Sequence, residues 1–147
     1  METSLFKARI LVSAFAVVLL LTACAPAGHG QLQVSDVWAR PSLASGNSAV
    51  YFVIENRTDS DDTLLSASSD IASAVEMHMT SMEGDNMQMM PQEEVSIETG
   101  KTVFQPGGLH VMLVGLNQDL NPGDKFLLKL NFATAGELIL DVTVNEP

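Results

Sequence analysis

The stretch Lys125-Phe126-Leu127-Leu128-Lys129-Leu130-Asn131-Phe132 decides the fold. Phe126, Leu128, Leu130 and Phe132 fall on one side of an extended chain, and Lys125, Lys129 and Asn131 on the other. Successive side chains on a strand point to opposite faces, so this is a strand with one wet face. Residues Glu137–Val144 repeat the pattern, with Leu138, Leu140, Val142 and Val144 opposing Glu137, Asp141 and Thr143. In Val50–Glu55, Val50, Phe52 and Ile54 share a side. Further strands are expected near Val34–Trp38, Thr63–Ala67, Ala74–Met79, Asn86–Met90, Thr102–Phe104 and Leu109–Val114. Turn signals separate the runs at Asn56–Asp62, Pro106-Gly107-Gly108, Asn121-Pro122-Gly123-Asp124 and Ala135-Gly136. No long stretch shows a helical period. Many short strands at this spacing predict an all-β sandwich or small barrel.

The chain has 147 residues, enough for one domain. A hydrophobic content of 46% supports a packed core. The formal charge of −11 argues against nucleic acid and against anionic lipid headgroups as partners. A single cysteine excludes an internal disulfide, a Cys-rich zinc site and an iron–sulfur cluster.

That cysteine has a place in a targeting segment. Lys7 and Arg9 precede an apolar run from Ile10 to Leu21, which is short for a bilayer span and suited to a signal-peptide core. The run ends in Leu21-Thr22-Ala23-Cys24, a bacterial lipobox pattern that predicts cleavage before Cys24 and acylation of its thiol. The competing reading is an ordinary secretory signal cut near Ala25-Pro26-Ala27. In either case the mature protein works outside the cytoplasm. The expected organisation is a signal peptide over 1–23, a flexible tether over 24–31 and one β-domain over 32–147. His29 lies in the tether and is expected to be solvated.

The remaining histidines stand among the methionines. Of the eight Met, six fall between Met77 and Met90. In Leu109-His110-Val111-Met112-Leu113, the alternation gives Leu109, Val111 and Leu113 an apolar face. His110 and Met112 then point together to the opposite face, about 7 Å apart along the strand. In Ala74–Thr80, Glu76, His78 and Thr80 share the side away from Val75, Met77 and Met79. Met87 and Met89 share a face of the next strand. Imidazole nitrogen and thioether sulfur suit a soft ion, Cu(I) best. Zinc would be expected to recruit Cys or carboxylate. A blue-copper centre needs a thiolate, and a covalently attached haem needs a Cys-x-x-Cys-His motif that this chain lacks. Met is also a flexible core filler, the expected role of Met77 and Met79, with Met82, Met87 and Met90 at the surface or rim. A single His-x-Met is not specific, so on the residues alone both readings stand.

The combination of motifs resembles a known family. His78, ten residues and Met89, then twenty residues and His110-Val111-Met112, are similar to the pattern of the periplasmic copper chaperones called PCuAC. The second gap is one residue short of that pattern, in the segment between Pro91 and Thr102. Val37-Trp38-Ala39-Arg40-Pro41, Asn47-Ser48-Ala49-Val50-Tyr51, Met87-Gln88-Met89-Met90-Pro91 and Pro106–Leu113 also look alike, and the likeness spans roughly Gln33 to Val144. The resemblance implies a cupredoxin-like or Ig-like antiparallel β-sandwich. It implies Cu(I) held by His78, Met89, His110 and Met112, in an exposed site at the loop end of the sandwich. It also implies a monomeric carrier, not an enzyme, that delivers copper to a protein such as the CuA subunit of cytochrome c oxidase, held at the membrane by the lipid on Cys24. The alternatives are a copper-sequestering or resistance lipoprotein without a dedicated client, and a metal-free lipid-anchored interaction module.

Overall fold

Strand β2, Ser48–Asn56, is buried on both faces over its first half. Val50, Phe52 and Ile54 enter the main core, while Ala49 and Tyr51 are buried on the other side. A strand covered on both faces belongs in the middle of a sheet, and β2 is hydrogen-bonded to three neighbours. The computed structural model describes residues 31–146. The expected signal peptide over 1–23, the lipobox cysteine Cys24 and the tether histidine His29 lie outside the described residues, as does Pro147.

Ten strands and no helix are found among the described residues. Besides β2 they are β1 (Leu32–Ala39), β3 (Asp62–Ser68), β4 (Ala72–Glu83), β5 (Asn86–Gln92), β6 (Val95–Ile97), β7 (Gly100–Phe104), β8 (Leu109–Leu116), β9 (Lys125–Phe132) and β10 (Gly136–Val144). Their hydrogen-bonded order is β5-β4-β8-β7-β2-β1-β10-β9-β3-β6, with β8 also bonded to β2. The chain is all-β, as the alternation requires.

The continuous sheet folds over on itself to enclose one core. Val50, Phe52, Ile54, Phe104, Val111 and Leu113 come from one half; Leu64, Leu128, Leu130, Phe132, Val142 and Val144 come from the other. Phe52 and Phe104 stack with centroids 4.3 Å apart. Each such aliphatic or aromatic side chain stabilises the fold by about 1.5–3 kcal/mol when fully buried.

The expected sandwich was wholly antiparallel, and two pairings depart from that. β1 runs parallel to β10 at Trp38 and Ala39, and β7 runs parallel to β8 at Phe104 and Leu109. The physical cause of the first is visible in β1. Its register with β2 shifts between Ser35 and Trp38, where Asp36 has φ 53°. Such a bulge bends a strand and increases its twist. Beyond it, Trp38 and Ala39 pair with β2 on one side and β10 on the other. The strand β6, only three residues long, was not foreseen.

Candidate metal centre

The face of the sheet opposite the core, on β5, β4, β8 and β2, carries the candidate site. The registers place Glu76 opposite Met112, His78 opposite His110, and Met112 opposite Ala49. On the other side of β4, Thr80 lies opposite Met89 and Met82 opposite Met87. Residues two apart on a strand share a face, so Glu76, His78, Thr80 and Met82 line up on β4. Beside them stand Met87 and Met89 on β5, and His110 and Met112 on β8. An open cleft of about 550 Å³ runs over part of this face. Ala49, Tyr51, Thr80, Met87, Met89, His110 and Met112 contribute to its lining.

The core alternation on β8 is as the sequence predicts. Val111 and Leu113 are fully buried in the core, and Leu109 packs against it. His110 and Met112 reach the cleft instead. Within the cleft the two histidines are recessed, while Met89 is 53% exposed. His110 is only 4% exposed, and the His78 side chain is 14% exposed. Both lie on the strand face, and the loop residues Arg40, Pro41, Asn47, Pro106 and Gly107 complete the cleft lining. The cause is the neighbouring central strand, whose Tyr51 ring lies 6.4 Å from that of His110.

Backbone and side-chain partners fix both imidazoles. The Gly108 carbonyl accepts from His110 Nδ1 at 3.0 Å and from the Thr80 N–H at 3.0 Å. A carbonyl only accepts, so His110 carries its proton on Nδ1 and keeps the Nε2 lone pair. Gly107 has φ 79° in the turn that presents this carbonyl, a conformation that favours glycine. His78 is held the other way round. Its Nε2 lies 2.8 Å from Glu76 Oε2, so Nε2 donates to the carboxylate. Its Nδ1 is buried and has no hydrogen-bond partner among the described residues. Leaving a buried polar atom unsatisfied costs about 1–3 kcal/mol. A carboxylate or carbonyl behind an imidazole is the usual support for a metal-ligating histidine. The two rings meet edge to face, with centroids 5.7 Å apart.

An aromatic pair lies on the Tyr51 side of His110. Trp38 and Tyr51 have centroids 4.7 Å apart, and the Arg40 guanidinium lies 5.8 Å above the Tyr51 ring. Burial pushes the Tyr51 phenol above its ordinary range, against a smaller opposing pull from Arg40. The phenol therefore stays neutral at physiological pH. Among the described residues, no three of His, Cys, Asp and Glu come together. Any further donors to an ion at the His pair must therefore be sought among the thioethers.

The structure brings His110, Met112 and Met89 to one cleft and sets His78 beside His110. Met77 is in the core, as expected, but Met79 is half-buried and stands outside the core cluster. Met82, Met87 and Met90 are exposed. Sequence reasoning placed Met87 at the surface or rim, and the structure puts it in the cleft lining beside Met89. It also missed the roles of Glu76 and Gly108, each of which bonds the histidine two residues after it. The segment one residue short of the expected spacing holds β6 and lies outside the cleft lining.

Fold and face together define an all-β domain of the PCuAC type with a thioether–imidazole cleft. The copper-bound PCuAC domain from PmoF2 superposes with a TM-score of 0.68 at 23% identity, over 82% of this chain and 97% of that one. The Cu(I) form of DR1885 from Deinococcus radiodurans superposes with a TM-score of 0.52 at 25% identity, over 77% of this chain and 80% of that one. The chain belongs to the family described as "Putative lipoprotein LpqE-like", whose model matches residues 32–144. It is also 31% identical over 113 residues to protein RP573 of Rickettsia prowazekii (strain Madrid E), which covers 73% of this chain and 62% of that protein's length.

Proposed function

We propose that this protein is an extracytoplasmic, lipid-anchored Cu(I) carrier. It holds the ion through His78, His110, Met112 and Met89 and passes it to a copper-accepting protein such as the CuA subunit of cytochrome c oxidase. The observation that carries the reading is the partnerless, buried Nδ1 of His78 beside a His110 ring whose Nε2 is left with a lone pair. Two neutral imidazoles and neutral thioethers suit a soft monovalent ion. Thioethers bind without releasing a proton, and they tolerate an oxidising compartment better than a free thiol. They also yield the ion to a thiolate-rich acceptor. An open cleft lets the acceptor's ligands replace these in steps. The lipoprotein family and the lipobox at Cys24 support an anchor, which raises the carrier's effective concentration near a membrane-bound client.

An anaerobic Cu(I) titration against a competing chelator tests the site. One tightly held Cu(I) per chain, not displaced by excess Zn(II), is expected. Loss of copper to the chelator at every ratio, or equal retention of zinc, overturns the reading. Transfer to an apo CuA domain, followed by the absorption of the assembled centre, tests the client.

A further inference from the structure

We propose that Met82 and Met87, sharing Met89 with the histidine site, form a second and weaker Cu(I) site at the tip of the β4–β5 hairpin. The inference rests on the copper reading of the same face and adds an outer station to it. Met82 and Met87 are directly opposed in the register. Opposed residues of an antiparallel pair have Cβ atoms about 4.5–5.5 Å apart. Met89 lies two residues beyond Met87 on the same face, and Met87 and Met89 both line the cleft that His110 and Met112 line. Three thioethers therefore form a continuous path from the hairpin tip to the imidazoles.

Packing does not account for them. Met82 is 63% exposed, Met87 66% and Met89 53%, and of this hairpin's methionines the core takes only Met77. Three large apolar side chains held in water on one face are unfavourable unless something binds them. The loop fixes their alignment. Gly84 and Asp85 are its two residues, and Gly84 has φ 65°, as a tight two-residue hairpin turn requires at its first position. A register slip by one residue would send Met82 and Met87 to opposite faces of their strands.

The chemistry selects the ion. Unbranched thioether arms with three rotatable bonds can close on a single soft cation. Glu83 and Asp85 flank the site and concentrate cations at the tip. With no imidazole and with exposed arms, the tip binds more weakly than the histidine site. Passage between the two is ligand exchange at constant oxidation state. Met89 bonds to the incoming ion as Met82 or Met87 releases it, and no electron or proton moves.

The test uses the full chain carrying methyl-¹³C methionine, with Ag(I) as a redox-inert probe and Cu(I) under anaerobic conditions. The first equivalent should shift the Met112 methyl. A second, weaker equivalent should shift the Met82 and Met87 methyls. The double variant Met82→Leu/Met87→Leu keeps apolar bulk without sulfur. It should weaken the second equivalent by about tenfold or more, and Met82→Leu alone, outside the cleft lining, should leave the first unchanged. Absence of a second equivalent overturns the proposal, and so does a second equivalent that leaves both methyls unmoved or survives in the double variant. If the tip methyls shift while Met112 never does, the histidine site fails and the hairpin site stands. The reverse result retires the hairpin alone.

Discussion

His78 and His110 occupy directly opposed positions on β4 and β8, their rings edge to face at 76°, and they present opposite nitrogens. His110 is tied through Nδ1 to Gly108 and keeps Nε2 bare; His78 is tied through Nε2 to Glu76 and keeps Nδ1 bare. The difference follows from what lies behind each ring. A loop carbonyl stands behind one, and a carboxylate two residues back on the same strand behind the other. Two lone pairs are thereby left on adjacent strands before any ion arrives.

That asymmetry predicts opposite stability effects. His110 is buried and hydrogen-bonded, so His110→Ala should cost the apo-protein about 1–3 kcal/mol. This departs from the sequence-based expectation of an exposed, dispensable ring. His78→Leu removes a partnerless buried nitrogen and fills the space, so apo stability should stay level or rise. Both should abolish tight Cu(I) binding. Apo-protein melts paired with Cu(I) titrations check it, and a large stability loss in His78→Leu would contradict the account.

Glu76 should matter to copper and not to folding. Its side chain is half exposed, so Glu76→Ala should change stability by no more than about 0.5 kcal/mol. Losing the acceptor frees the His78 ring to rotate and to change tautomer. Cu(I) affinity should fall by about 10–100-fold. Glu76→Gln keeps an acceptor oxygen and should recover most of that loss. Chelator competition on the three proteins measures it.

What the sequence could reveal was whatever period two carries. The alternation in Lys125–Phe132 and Glu137–Val144 matches the buried face of β9 and β10 residue for residue, and that at Leu109–Leu113 separates core from cleft. What it could not reveal depends on which strand lies beside which. The opposition of His78 to His110, and of Met82 to Met87, is a matter of register. The parallel β1–β10 pairing depends on a bulge at Asp36, which breaks the period instead of showing it. β6 has three residues, too few for alternation to be read. The orphan nitrogen of His78 needs the three-dimensional position of Glu76, although Glu-x-His on one strand puts the two side chains on one face.

Cys24 lies outside the described residues, and its role rests on the lipobox. Cys24→Ser should block acylation and shift the protein from the membrane fraction to the soluble one. Labelled palmitate should enter the wild type and not the variant. A wild type that never takes up label removes the anchor.

Asp62 predicts the acid limb of stability. It is buried at the start of β3. Burial alone would raise its carboxyl, but the N–H groups of Thr134, Thr63 and Ala135 all donate to it and hold it below the ordinary value. A carboxyl depressed in the folded state contributes stability that is present above its unfolded value, about 3.9. That contribution is lost as pH falls through the folded value. Asp62→Asn turns an amide N–H₂ toward one of these donors and should cost about 1–3 kcal/mol at neutral pH. Melts from pH 7 down to pH 2 should show the gap between wild type and variant narrowing only below about pH 4. A gap constant across that range would contradict the assignment.

Met112 and Leu113 are neighbours on β8 and should respond in opposite ways. Leu113 is fully buried in the core; Met112 faces the cleft. Met112→Leu preserves volume and apolarity while removing the sulfur, so apo stability should change by less than about 1.5 kcal/mol. Cu(I) affinity should drop sharply, since no other group on β8 offers a thioether. Leu113→Ala opens a cavity between the two halves of the folded sheet and should cost about 2–5 kcal/mol. The folded fraction should still bind Cu(I) nearly as the wild type does, because the cleft face is untouched. A strand displaced by one residue would exchange these outcomes, as every side chain would change faces. Chemical unfolding of the apo-proteins with Cu(I) titration of each therefore reads the register of β8 directly. Loss of copper in Leu113→Ala with an intact fold, together with unfolding in Met112→Leu, would show that the assigned face is wrong.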